Sequence, residues 1–180
     1  MNNENLQLMS TMLGEVVAGT WKGTPVDHGL IIGPIKVFPA HIKHFNLESW
    51  VEQQYDEKGK TCGFSACAVG HACYDPRFQA LGLVMDHRNR PSLPAMSNDF
   101  NNWDAVMALF EINEDTAHNL FIDAHYVGYA KYGVKPGQVK SRVDELLVIG
   151  EDVFNEQCKA QRAADFKQKQ EQKLKELVSE

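Results

Sequence analysis

Apolar residues recur at every third or fourth position in four segments of the chain, and this spacing predicts amphipathic helices. The segments are residues 5–19, 102–110, 113–124 and the stretch from Pro136 to residue 154. Gly19 follows the first segment, as is typical of a helix end, and Asn113 opens the third, as is typical of a helix start. The pattern therefore predicts a mainly α protein.

Residues 29–39 differ because most of them are β-branched or apolar, with interruptions at Gly33 and Pro34. Such residues favour an extended chain, and a proline restricts a strand to the edge of a sheet. We therefore expect a small β element near residues 29–39, as two short strands or a hairpin arm. Few other segments suggest strands, so a large sheet is not predicted.

Three further segments are expected to be short or irregular. Asn46 is expected to cap a short helix over residues 46–51. Residues 53–60 are polar, and residues 86–99 are rich in Pro, Asn and Ser. Both of these segments have the composition of exposed loops.

The segment from Cys62 to Cys73 is the least ordinary part of the chain, because three of the four cysteines lie within it. If it is helical from Gly63, Cys67 and His71 lie one turn apart on the same face. Glycine in the middle of a helix costs roughly 0.5–1 kcal/mol relative to alanine. We therefore expect that Gly70 allows another part of the backbone to approach closely.

One hypothesis makes Cys62 a nucleophile at the start of this helix, where the helix dipole and free amides favour a thiolate. His118 or His125 would then act as the base. Cysteine before histidine is the order of papain-like peptidases, although the Cys-Gly-x-Cys-Trp motif of that family is absent here. This hypothesis predicts a cysteine-dependent hydrolase or transferase.

A second hypothesis makes Cys62, Cys67, His71 and Cys73 zinc ligands, but Cys73 would point away from Cys67 on a helix. A third interpretation is structural. Cys67 and Cys73 are then small core residues, Cys62 lies by the helix cap, and His71 is hydrogen-bonded in the interior. The structural interpretation is favoured, and no metal or other cofactor is predicted.

The run Cys-Gly-x-x-x-Cys-x-x-Gly-His-Ala begins at Cys62, and Phe45-Asn46-Leu47 precedes it. Together with Leu81-Gly82-Leu83 and Leu109-Phe110, it resembles a group of small uncharacterised proteins of bacteria and bacteriophages. The similarity covers residues 45–124. It implies a compact, mainly helical cytoplasmic domain that is phage-encoded, with the cysteine segment as part of the scaffold, and it implies no particular activity.

Composition narrows the class of protein further. The 180 residues include 18 basic and 24 acidic ones, for a net charge of −6. Nucleic acid is therefore an unexpected partner, because its binding depends on clustered Lys and Arg. Residues 1–9 lack the features of a signal peptide, and no segment approaches the roughly 20 apolar residues of a membrane span. We expect a cytoplasmic protein with no membrane partner.

Familiar catalytic motifs are absent, including phosphate loops, Rossmann fingerprints and His-Glu-x-x-His helices. Arg88 and Arg90 lie in the proline-containing loop of residues 86–99. Guanidinium groups bind phosphate and carboxylate well, so these two arginines are candidate ligands for a small anion such as a nucleotide.

Residues 159–180 form a charged helical tail beyond a globular domain of residues 1–158. The tail has six basic and four acidic residues, which leaves a net charge of −8 on the domain. Phe166, Leu174 and Val178 fall on one helical face. The tail is either a solvated helix or a surface that packs on a second chain and makes a homo-oligomer.

These observations together predict a non-catalytic interaction protein, a phage product that binds and modulates a host protein. Two alternatives stay open. One is the cysteine-dependent hydrolase or transferase that uses Cys62 with His118 or His125. The other is a nucleotide-binding protein that uses Arg88 and Arg90.

Overall fold

The computed structural model describes residues 1–24, 31–32, 35–36, 42–55, 61–86, 88–96, 100–126 and 133–178. The regular elements within them are α1 (Asn3–Ala18), β1 (Ile31–Ile32), β2 (Ile35–Lys36), β3 (Ile42–Phe45), β4 (Val51–Tyr55), β5 (Thr61–Ala66), α2 (Ala68–Cys73), α3 (Pro76–Ala80), β6 (Val84–Met85), β7 (Pro91–Ser92), α4 (Trp103–Phe110), α5 (Glu114–Phe121), a 3-10 turn (Asp123–His125), α6 (Pro136–Ile149) and α7 (Glu151–Val178). Helices make up most of this structure, which confirms the mainly α prediction.

Helix α1 packs along α6, and the two helices form one side of the core. The Asn2 side chain caps α1 by accepting a hydrogen bond from the Asn5 amide at 3.1 Å. Gly19 ends the helix with a φ of 68°, a left-handed conformation that glycine adopts without strain. The core-facing side chains of α1 are Leu6, Met9, Met12 and Leu13. Their spacing of three and four residues is the one that the sequence predicted.

The small β element expected near residues 29–39 is confirmed. Strands β1 and β2 pair antiparallel, with Ile31 opposite Lys36 and Ile32 opposite Ile35. The expected boundaries of this element fall on residues outside the described part of the chain.

The middle of the chain contains a three-stranded sheet, although the sequence suggested few strands there. Strand β5 lies at its centre, parallel to β3 and antiparallel to β4. The predicted short helix over residues 46–51 is wrong, because the Asn46 side chain accepts the Glu48 amide at 2.9 Å and forms a turn before β4. Residues 53–55, expected in a loop, belong to β4.

The predicted helix from Gly63 is wrong over its first part, since residues 61–66 form β5. Helix α2 begins only at Ala68, and all six of its residues are buried. The close approach predicted for Gly70 is confirmed: a Cβ built on Gly70 would lie 1.8 Å from the Trp50 carbonyl oxygen.

The second half of the chain follows the predicted helices closely. Helix α4 ends at Phe110, and the Asn113 side chain caps α5 by accepting the Thr116 amide at 2.9 Å. The stripe predicted from Pro136 to residue 154 is two helices, because Gly150 separates α6 from α7, and α7 continues through the expected tail to Val178. None of the described helices is both long enough and apolar enough to cross a membrane.

Candidate functional site

The two candidate histidines lie close together. His118 is on α5 and His125 is in the 3-10 turn that follows, with 6.3 Å between their ring centroids. The His118 ring packs edge-on against Trp103 at 4.8 Å, and Trp103 in turn packs against Trp50 at 4.8 Å. Nε2 of His118 is 3.9 Å from a carboxylate oxygen of Glu114. Tertiary folding therefore gathers these two histidines beside a pair of tryptophans.

His125 and its neighbours serve mainly to join helices. Its Nδ1 donates to Asn119 Oδ1 at 3.0 Å, and the Arg162 guanidinium donates to the same oxygen. The Asn119 amide nitrogen donates to Asn155 Oδ1 at 2.8 Å, and Arg142 donates to the His125 carbonyl oxygen at 2.6 Å. Burial and then the positive charges of Arg162 and Arg142 lower the pKa of His125. The imidazole is thus a neutral member of a network that links α5, α6 and α7.

The same network continues to the start of α7. The Asn155 amide donates to Thr116 Oγ1 at 2.8 Å, and that hydroxyl donates to a Glu151 carboxylate oxygen at 2.8 Å. Glu151 also accepts the Asn113 amide at 2.7 Å. Hydrogen bonds therefore run from Arg162 to Glu151 and hold the first half of α7 on α5.

Cys62 does not lie at the start of a helix, which corrects one premise of the nucleophile hypothesis. It is the second residue of β5, and the helix begins six residues later at Ala68. The helix dipole therefore has no role at Cys62. The Cys62 side chain is outside the described part of the structure, so its pairing with His118 or His125 stays a prediction.

Cys67, not Cys62, is the residue at the helix start. Its Sγ accepts the Gly70 amide at 3.3 Å, and 1% of the residue is exposed. Burial raises the pKa of this thiol to about 12, despite the backbone amides that favour the thiolate. A buried neutral thiol is a poor nucleophile, so Cys67 is a structural cap.

The positions of Cys73 and His71 also do not support the zinc hypothesis. Cys73 Sγ donates to the Val84 carbonyl oxygen at 3.6 Å, whereas Nδ1 of His71 lies 2.9 Å from the Cys67 carbonyl oxygen. Among the described residues, no three His, Cys, Asp or Glu side chains gather as metal ligands would. The structural interpretation of Cys67, His71 and Cys73 is confirmed, while the position expected for Cys62 beside the helix cap is wrong.

The arginines proposed for anion binding lie around Asp86. Arg90 donates to Asp86 Oδ2 through Nε at 3.0 Å and through Nη2 at 2.8 Å. The Arg88 amide donates to the other carboxylate oxygen at 2.8 Å. Burial raises the pKa of Asp86, but bonds from Arg90 and Arg88 outweigh it and lower the pKa overall. The Arg90 charge is thus compensated, and a nucleotide site here stays a prediction.

The outer part of α7, which belongs to the charged tail predicted from the sequence, has exposed apolar residues. Phe166, Leu174 and Leu177 are 63%, 64% and 64% exposed. We call these three residues the distal stripe, and residues 166–178 the distal segment. All described side chains of the distal segment are exposed, and at 1.5 Å per residue the segment extends about 20 Å. The side chain of Val178, predicted on this face, lies outside the described residues.

The distal stripe is not a continuation of the face that packs on the domain. At about 100° per residue, Phe154, Cys158 and Arg162 form the stripe that faces the domain. Extended outward, that stripe leads to polar residues such as Lys169 and Glu176. The distal stripe is rotated by about 120° from it. The outer apolar face is therefore not turned toward its own domain.

Comparison with known proteins gives no support from similarity. No protein-family model, curated protein or solved structure matches the chain. The resemblance to small bacterial and bacteriophage proteins therefore stays a prediction.

Proposed function

We propose that the protein is a non-catalytic binding protein that holds a partner protein through the distal stripe of α7. The observation that carries this proposal is the rotation of the stripe away from the domain-facing side of the same helix. Exposed apolar side chains scattered singly are ordinary on a protein surface. Three that align on one face of a projecting helix form a suitable anchor for a groove in another protein.

The charges beside the stripe suggest the chemistry of the partner. The distal segment has four lysines and two glutamates. Lys167 and Lys175 lie on one side of the stripe, and Lys169 and Lys173 lie on the other. A second copy of this helix would place lysines against lysines, which is unfavourable. The occupant that fits is a different protein, with an apolar groove bordered by acidic residues.

The first half of α7 helps the distal segment to bind a partner protein. A short isolated helix is marginal in water because nucleation is costly. Here the hydrogen bonds from Glu151 to Arg162 already hold the helix on the domain. The distal segment therefore has only to extend a formed helix, and it loses less conformational freedom when a partner binds.

The test compares two double variants of the full chain. Phe166→Ser with Leu174→Ser removes the anchors of the distal stripe. Gln168→Ser with Gln172→Ser introduces the same two serines on the opposite face of the same segment, where they replace residues that are already polar. The resemblance directs the search to a bacterial lysate, and quantitative mass spectrometry identifies proteins retained by the wild-type chain. The affinity of each purified candidate is then measured by calorimetry.

We expect a candidate to bind the wild type and the glutamine variant equally and the stripe variant at least tenfold more weakly. Burial of each anchor contributes about 1–2 kcal/mol, and 1.4 kcal/mol is a factor of ten in affinity. Equal binding by all three proteins would refute the proposal. A concentration-dependent dimer in light scattering that is lost only in the stripe variant would also refute it, since the occupant would then be a second copy.

A further inference from the structure

A cavity of about 310 Å³ lies where the end of α1, strand β3, helix α2 and the start of α6 meet. This volume is near the lower end of the range for small-molecule sites. The described residues that line it include the apolar Val16, Trp21, Ile42 and Phe45 and the polar His44 and His71. None of the described residues that line it is an acid, a lysine or an arginine.

His71 provides the polar feature of the cavity. The residue is 4% exposed, and Nδ1 lies 2.9 Å from the Cys67 carbonyl oxygen. A carbonyl oxygen only accepts hydrogen bonds, so Nδ1 carries the proton and Nε2 is an acceptor. Burial lowers the pKa of His71 more than the carbonyls of Cys67 and Ala66 raise it, which keeps the ring neutral. The bond at Nδ1 leaves Nε2 as the ring nitrogen available to a ligand in the cavity.

The aromatic walls are held in fixed positions around this imidazole. The Trp21 ring meets the His71 ring edge-on at 4.8 Å, and Phe45 lies on it at 5.7 Å. Trp21 Nε1 donates to Asp75 Oδ2 at 3.2 Å. Asp75 is itself fixed by Arg77, whose Nη2 lies 2.7 Å from the same oxygen. A rigid aromatic site costs little to order when a ligand binds.

We propose that this cavity binds a small, uncharged, planar aromatic molecule that donates an N–H or O–H hydrogen bond to Nε2 of His71. The aromatic and aliphatic walls suit a flat apolar ring. The absence of charged side chains among the described lining residues disfavours a phosphate or carboxylate. Nε2 of the neutral ring accepts a hydrogen bond, so a ligand that donates an N–H or O–H gains an interaction that a ligand without a donor lacks. This site is separate from the distal stripe, so either proposal can fail without the other.

The test uses indole and 1-methylindole, which differ in one N–H group, as probes of the full chain. Amide and side-chain NMR shifts are followed during each titration. We expect saturable changes at Trp21, Ile42 and His71, with indole binding about three- to tenfold more tightly. His71→Phe keeps a ring but removes the acceptor, so the two probes should then bind equally.

Two further variants keep the test decisive if His71→Phe does not fold. Val16→Trp, at a half-buried position of α1, fills the cavity and should abolish binding of both probes. Met107→Trp fills a different cavity of about 350 Å³ and should leave binding unchanged. No saturable binding of indole, equal affinity of the two probes for the wild type, or loss of binding in Met107→Trp instead of Val16→Trp would each overturn the proposal.

Discussion

Two glycines inside helices should respond to alanine in opposite directions. At Gly70 an added Cβ would meet the Trp50 carbonyl oxygen at 1.8 Å and the Ala66 Cβ at 3.1 Å. At Gly14 in α1 the nearest atom is the flexible Lys140 Cε at 3.5 Å, an ordinary contact. Alanine improves a helix interior by roughly 0.5–1 kcal/mol relative to glycine, and this gain is available at Gly14 alone.

The clash at Gly70 cannot be relieved by rotating a side chain. The Trp50 carbonyl accepts the Cys67 amide at 3.3 Å, and the next residue, Val51, is paired with Ala66 in the sheet. Helix α2 would have to move away from β4 by more than about 1 Å to reach van der Waals distance. Overpacking of a core costs about 1–3 kcal/mol, and a clash with fixed backbone lies at or above the upper end.

Urea unfolding followed by circular dichroism measures both effects. We expect Gly70→Ala to lower the free energy of unfolding by about 3 kcal/mol or more, and Gly14→Ala to raise it by about 0.5–1 kcal/mol. With a slope of about 1–3 kcal/mol/M, the midpoint moves down by at least about 1 M in the first variant. A Gly70→Ala protein as stable as the wild type would refute the close approach of α2 and β4.

Two other predictions follow from the α7 network and the cysteines. Asn119→Leu should destabilise the protein by about 2–4 kcal/mol in urea unfolding, because Asn155 and Arg162 lose a buried partner, and a loss below about 1 kcal/mol would contradict the network. A thiol reagent followed by mass spectrometry should label Cys62 no faster than the half-buried Cys158; labelling of Cys62 that is faster by orders of magnitude would instead favour the cysteine-dependent enzyme.

Helices α1 and α5 could be predicted from the sequence because their signals are local. The apolar stripe of α1, its glycine end and the asparagine cap of α5 act within a few residues of themselves. Phe166 and Leu174 were placed on one face by the same periodicity. The periodicity does not show whether that face packs on the domain, because this depends on where α7 leaves α5. Only the fold shows that the distal stripe is rotated away from the domain-facing side of α7.

The middle of the chain could not be predicted because its structure depends on distant pairing. Residues 61–66 alternate between apolar positions and polar or glycine positions, but a run of six residues is too short to distinguish a strand from a helix, and β3 and β4 make it the central strand by pairing on both sides of it. Trp21 and Asp75 were missed as site residues for a similar reason, since nothing in the sequence links positions so far apart. The candidate cavity is built from such long-range contacts.

The sequence by itself determined the helical class, the end of α1 at Gly19, the small β element and the close approach at Gly70. The tertiary structure decided which backbone approaches Gly70, that Cys62 belongs to a strand, and that His71 lines a cavity with Trp21 and Phe45. Helix formation depends on bonds and side chains a turn apart, whereas sheets and cavities depend on contacts that close long loops. The information for those contacts is spread over the whole chain.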